Sequence, residues 1–283
     1  MTHSSSLLVD LNEGCARVTL NRPDRRNAFD ARMVEELCEV FTFLGHDSSA
    51  KTIILTGRGA AFCAGADINW LTSGGAVTGA QARDDAEQLV AMFCAIDECP
   101  QPVIGRIQGG AFGGGVGLVA ACDIAVADEG ATFAFSEVRL GMVPAVIAPL
   151  LLRKTGHSFL RRFCLTGEVF PASVAKRYGL VHEVVARDEL DSRIAELVHA
   201  VVNLAPQAVR DTKDLLRRLC TVSDDERWSV GIEANAHARI SAEAQEGFRA
   251  FLERRSPLWA GTSGNQGKKP LAEEPHDVPD PRA

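Results

Sequence analysis

Apolar and polar residues along this chain alternate between a period of two and a period near 3.6. Ala16, Val18 and Leu20 are interleaved with Arg17 and Thr19, the pattern of a half-buried strand. The polar loop Asn21-Arg-Pro-Asp-Arg-Arg-Asn-Ala28 follows. Asp30 then stands where an N-cap belongs, ahead of Met33, Val34, Leu37, Cys38, Phe41 and Leu44 at helical spacing. Residues 51–56 form a β-branched run closed by Gly57, which predicts a buried strand. Residues 80–99 predict a helix stopped by Pro100 and Pro102, and 103–107, 123–127 and 132–135 predict further strands. Strand, strand and helix therefore recur through the first two thirds. From Phe159 onward the pattern is helical, with main pieces at 172–178, 188–204, 207–220 and 224–253. Residues 72–79 are small and polar enough for a mobile loop. Residues 261–283 carry four prolines and almost no large apolar side chain. That segment cannot bury enough surface to offset its ordering entropy and is expected to be disordered. The organisation expected is a core at 1–203, a helical region at 204–260 and a tail at 261–283.

Composition narrows the function classes. The chain has 283 residues, 46% hydrophobic and 24% charged, enough for a substantial core. Its formal charge of −7 argues against a broad surface for nucleic acid or anionic lipid. The most apolar stretch, 142–152, is too short to span a bilayer and is interrupted by Pro144 and Pro149. The first ten residues hold no basic segment followed by a long apolar run, so no secretory leader is expected. Eight cysteines occur without a C-x-x-C pair or a cluster with histidine, which points to no metal site and to a reducing, cytoplasmic compartment.

The 25 glycines are unremarkable in number but not in placement. Two glycine-rich turns each follow a buried strand and lead towards a helix. One is Phe62-Cys-Ala-Gly-Ala-Asp-Ile68, the other Gly109-Gly-Ala-Phe-Gly-Gly-Gly115. Backbone amides in such turns can approach a ligand closely, and a helix N-terminus adds unpaired N–H groups and partial positive charge. Converging amides of this kind can hold a developing oxyanion; close helix–strand packing is the alternative use of the same glycines. A loose dinucleotide pattern, Gly115-x-Gly117-x-x-Ala120, lacks the strand it needs directly before its first glycine.

Five ordered stretches resemble the crotonase, or enoyl-CoA hydratase/isomerase, superfamily. They are Asn21-Arg-Pro-x-x-x-Asn-Ala28, Ala64-Gly-Ala-Asp-Ile68, Gly113-Gly-Gly115, Ala121-Cys-Asp-Ile-Ala125 and Phe135-Ser-Glu-Val-Arg-Leu-Gly141. The resemblance implies an α/β fold, a spiral of strand–strand–helix units with a helical C-terminal part that forms homotrimers or homohexamers. It implies an acyl-CoA substrate and no separate cofactor, coenzyme A being part of the substrate. The thioester carbonyl would be held by the amides of Ala66 and Gly114, with Glu137 as the catalytic carboxylate. Ala64, Ile68 and Asn69 would meet the coenzyme, together with Ala28 and Arg25 of the proline-marked loop, where Arg22 and Arg26 also lie. Asp67 belongs to the same set, although its first reading is a carboxylate that stabilises the opening turn of a short helix.

One departure matters. Well-studied hydratases of the family carry a second glutamate just after the glycine triplet, where this chain has Gly117. Glu137 alone would then take a proton from water and deliver it to carbon, and an apolar pocket that raises its pKa would help. The reading is a hydratase of 2-enoyl-CoA thioesters, extending to branched or methylglutaconyl-type acyl groups. This follows the similarity of 113–124 and 136–145 to bacterial hydratases of branched-chain catabolism. The alternatives are a one-glutamate double-bond isomerase and an inactive acyl-CoA-binding homologue.

Overall fold

The computed structural model describes residues 6–72 and 77–260. The 72–79 loop is therefore described only at its ends, and the expected disorder of 261–283 lies outside the described residues. Six strands form the long sheet: β1 (Leu7–Asn12), β2 (Cys15–Leu20), β3 (Thr52–Gly57), β4 (Val103–Ile107), β6 (Ile124–Asp128) and β9 (Glu183–Val185), adjacent in that order. Only the β1–β2 pair is antiparallel. All six residues of β3 are buried, as its β-branched run requires. A second, three-stranded sheet holds β5 (Gly110–Phe112), β7 (Thr132–Ala134) and β8 (Phe170–Pro171). Bridges Phe29↔Ala66 and Cys63↔Ala111 extend it backwards along the chain. Each unit thus sends one strand to the long sheet and the next extended segment to the second, in the same spatial order, which winds the chain into a spiral.

Helices fill the layers between and around the sheets. They are α1 (Ala31–His46), α2 (Ile68–Leu71), α3 (Gly79–Asp97), α4 (Gly114–Ala121), α5 (Ala148–Thr155), α6 (His157–Thr166), α7 (Ala172–Arg177), α8 (Leu190–Val202), α9 (Pro206–Leu219), α10 (Asp224–Ile240) and α11 (Ala242–Leu252). The inward faces of α1, α3 and α4 form the main core with Leu55, Phe62, Ile107 and Phe133. The opposite face of the long sheet packs Ile54, Ile104 and Val126 against Leu190 and Ile194 of α8. Asp30 caps α1, accepting from Met33 N–H at 3.0 Å. No helix among the described residues is long and apolar enough to cross a membrane.

Four differences from the sequence reading stand out. The single helix at 224–253 is two, because Ser241 takes an extended backbone (φ −64°, ψ 153°) and its side chain caps α11 at Ala244 N–H. The region after Phe159 is not wholly helical, since β8 and β9 return to the two sheets. The second glycine-rich turn contains a strand of its own, β5, and β1 is a strand that the alternation did not mark.

Candidate active site

The polar loop after β2 builds the first half of the site. Asn27 is fully buried and has a left-handed backbone, φ 56°. Its amide donates to Arg58 O at 2.9 Å and Ala61 O at 2.8 Å, while its Oδ1 accepts from Arg22 N–H at 3.0 Å. That clamp holds the loop against the chain leaving β3. Phe29 then pairs with the first glycine-rich turn, donating to Gly65 O and accepting from Asp67 N–H. Between those bonds the Ala66 N–H makes no hydrogen bond among the described residues.

The second half begins at Gly113, whose φ of 51° turns the chain from β5 into α4. Gly114 is the first residue of α4, so its N–H has no intrahelical acceptor and lies at the positive end of the helix. The two turns touch at Gly65. Its φ is +89°, and a methyl group there would stand 2.7 Å from Phe112 O and 3.1 Å from Gly114 N. No residue with a side chain fits such an approach, which answers why glycine is needed at this point. Two free amides, Ala66 and Gly114, are thus brought to one place.

Glu137 faces them from the 3-10 turn Glu137–Leu140. A methyl group on Gly113 would lie 3.2 Å from Glu137 Oε1. Oε2 is buried with no hydrogen-bond partner among the described residues. Burial pushes the carboxyl pKa up, only partly offset by its own backbone N–H. Behind the turn, Phe135 packs against Phe159 and Phe170, ring centroids 6.2 and 5.9 Å away, which anchors the segment that carries the carboxylate.

A cavity of about 160 Å³ lies between these groups. Ala64, Ala66, Ile68, Gly114 and Glu137 line it together, and Leu89, Phe93, Val146 and Ile147 supply apolar wall. The other sequence-derived residues stand outside it. Asp67 is buried and caps α2, accepting from Asn69 N–H and pairing with Arg22, both at 3.0 Å. Burial alone would raise its carboxyl, but the bonds from Asn69 and Arg22 prevail and hold it below the usual range. Asn69 spends its side-chain amide on Asp67, at 3.1 Å. Arg25 and Arg26 are exposed, and Ala28 is buried with its carbonyl accepting from the Arg22 guanidinium.

Residues that sequence reasoning missed are Phe29, Phe93 and Ile147. The last two fill the space beside Gly117: a methyl group there would lie 2.8 Å from Phe93 Cε1 and closer still to Ile147 Cγ2. Phe93 falls in the expected helix at 80–99 and Ile147 in the apolar stretch 142–152, and neither setting carries a sign of a cavity. Two thiols are set aside as nucleophiles: burial pushes Cys63 and Cys122 up to about 12.

Comparison with known proteins adds independent information. The model of the enoyl-CoA hydratase/isomerase family matches residues 10–262. The chain belongs to that family. A structure of an enoyl-CoA hydratase from Shewanella pealeana superposes with a TM-score of 0.86 at 37% identity, covering 90% of this chain and 96% of its own. A Thermus thermophilus protein with a provisional enoyl-CoA hydratase name is 33% identical over 251 residues, 88% of this chain and 99% of its own. A carnitinyl-CoA dehydratase from Proteus mirabilis is 33% identical over 268 residues, 91% of this chain and 99% of its own. Membership accounts for the crotonase spiral and for an acyl-CoA thioester as the class of substrate.

Proposed function

We propose that this enoyl-CoA hydratase/isomerase family member hydrates a 2-enoyl-CoA thioester to the 3-hydroxyacyl-CoA with Glu137 as its one catalytic carboxylate. The observation that carries the reading is the unpartnered, buried Glu137 Oε2 beside the two free amides. The thioester carbonyl accepts from Ala66 and Gly114 N–H. Glu137 takes a proton from water as the hydroxyl bonds to C3 and the π electrons move onto the carbonyl oxygen. The amides stabilise that enolate more than the neutral carbonyl, so they lower the barrier rather than only bind. Glu137 then delivers its proton to C2, and the net change is addition of one water. Its raised pKa suits a group that must both accept and release a proton.

The apolar wall supports an apolar acyl group, short or branched; a carboxylated methylglutaconyl-type tail is the alternative. A second reading, double-bond isomerisation, draws on Phe93 and Ile147 occupying the place beside Gly117. One carboxylate then moves a proton between carbons and no water adds. Turnover of straight, branched and carboxylated 2-enoyl and 3-enoyl thioesters in ¹⁸O-water separates these. Label at C3 of the product supports hydration, and migration without label supports isomerisation. Coenzyme A binding without turnover of any of them would sink both. Self-assembly into a trimer or hexamer belongs to the same proposal: Trp228, Ile232, Ile240 and Phe251 of α10 and α11 are more than half exposed and need a covering surface. Light scattering of the purified chain tests it.

A further inference from the structure

One residue touches both halves of the amide pair. Phe29 donates its N–H to Gly65 O at 2.9 Å and accepts from Asp67 N–H at 2.8 Å, gripping the chain on either side of Ala66. Its fully buried ring leans on the other turn, because a methyl group built on Gly114 would stand 2.5 Å from Phe29 Cζ. The backbone of Phe29 therefore fixes one donor and its ring is a spacer against the other. Arg22 holds this residue from both sides. Its guanidinium donates to Ala28 O, to Asp67 Oδ2 at 3.0 Å, and reaches Asp30 Oδ2 at 3.1 Å. Ala28 and Asp30 flank Phe29, and Asp67 follows Ala66. The planar, forked guanidinium suits three partners in fixed directions, which a lysine ammonium does not.

We propose that Phe29 is a positioning residue that sets the spacing of the Ala66 and Gly114 amides, with Arg22 locking it to Asp67. The proposal rests on the oxyanion role given to those amides above. Both donors must lie within hydrogen-bond reach of one developing oxyanion, so an error in their separation weakens transition-state binding and leaves coenzyme binding intact. Leucine at position 29 keeps the two backbone bonds but removes the ring that separates the turns. A displacement of about 1 Å in such a site costs about 10²-fold in rate.

The test uses the full chain as wild type, Phe29→Leu, Arg22→Met and the double variant. Crotonyl-CoA is the substrate, and acetoacetyl-CoA is a spectroscopic probe whose bound enolate absorbs in the near ultraviolet. The expected result is a kcat lower by about 10²-fold in Phe29→Leu, with KM and free coenzyme A affinity little changed. Arg22→Met, which alters no cavity-lining residue, shows a smaller loss of the same kind. Enolate absorbance falls in step, and the double variant is little worse than Phe29→Leu because both disturb the one separation between the Ala66 and Gly114 amides. Should Phe29→Leu fail to fold, Phe29→Met takes its place. Wild-type kcat in both single variants overturns the proposal, as does a kcat loss with undiminished enolate absorbance per folded molecule. A wild type that turns over no enoyl thioester and forms no enolate overturns the functional reading and this proposal with it.

Discussion

On the amide wall of the cavity, Phe29 pairs with Gly65 and Asp67, Asn27 ties its loop to Arg58 and Ala61, and Arg22 joins Ala28, Asp30 and Asp67. On the facing wall, Glu137 leaves one oxygen buried and unpartnered, on a turn whose neighbours Leu140, Met142 and Val143 are exposed. The difference suits the roles proposed for the two walls. Donors that meet a developing charge work best when fixed beforehand, since they then cost no reorganisation during the reaction. A group that exchanges a proton must be bound tightly in neither protonation state, and a permanent partner would favour one of them.

That contrast can be broken from either side. The largest effect is expected for Glu137→Gln, which removes the proton carrier: kcat for crotonyl-CoA should fall by about 10²- to 10⁴-fold, measured by loss of enoyl absorbance. Unchanged turnover would rule out the one-carboxylate scheme. On the amide wall, Gly65→Ala should cost about 10²- to 10³-fold, the scale for losing one oxyanion donor. The added methyl meets Phe112 O at 2.7 Å and the residue's φ is +89°, so the turn must shift. Glycine-like activity in that variant would mean the two turns need not touch.

The pH dependence sharpens the comparison at smaller amplitude. Only ionised Glu137 accepts a proton from water, and burial raises its pKa. The acid limb of kcat/KM in the free enzyme should therefore lie above the ordinary glutamate value, and it should vanish from the residual activity of Glu137→Gln. A limb at or below the ordinary value would contradict a desolvated base. The smallest effect is on stability. With its folded pKa above the unfolded one, ionised Glu137 opposes folding at neutral pH; the penalty shrinks as pH falls through the folded pKa and is gone below the unfolded pKa. Glu137→Gln should melt higher than wild type at pH 7 and not at pH 4. Calorimetry at the two pH values reads the difference.

Much of this site was legible because its residues lie in short local signals. Asp30 and Asp67 cap helices as their positions ahead of α1 and α2 imply, and Ala64, Ala66, Gly114 and Glu137 line one cavity as the ordered motifs imply. What escaped depends on long-range packing. Phe93 and Ile147 come from α3 and the chain before α5, and local sequence shows only that each is apolar. The grip of Phe29 on both turns joins residues far apart in sequence. Sequence places Arg22 only in the proline-marked loop, and the fold is what brings Asp67 within 3.0 Å of it. β1 was invisible for another reason: only Leu7 of its six residues is buried, so no alternation marks it. The α10–α11 break has no glycine or proline to announce it, only a serine that caps better than it propagates.

The packing around Gly117 also bears on how such a site can change over generations. One base change at the second position of any glycine codon gives aspartate or glutamate, so a second carboxylate at this position is within a single mutational step. Here that step is obstructed, because the volume a side chain at 117 needs is already held by Phe93 and Ile147. Overfilling a close-packed interior destabilises by about 1–3 kcal/mol, a large share of a typical domain's margin. A smaller residue at 93 or 147 would have to come first, in a molecule that does not yet gain from it. On the proposed single-carboxylate reading, the order of substitutions matters more than their number.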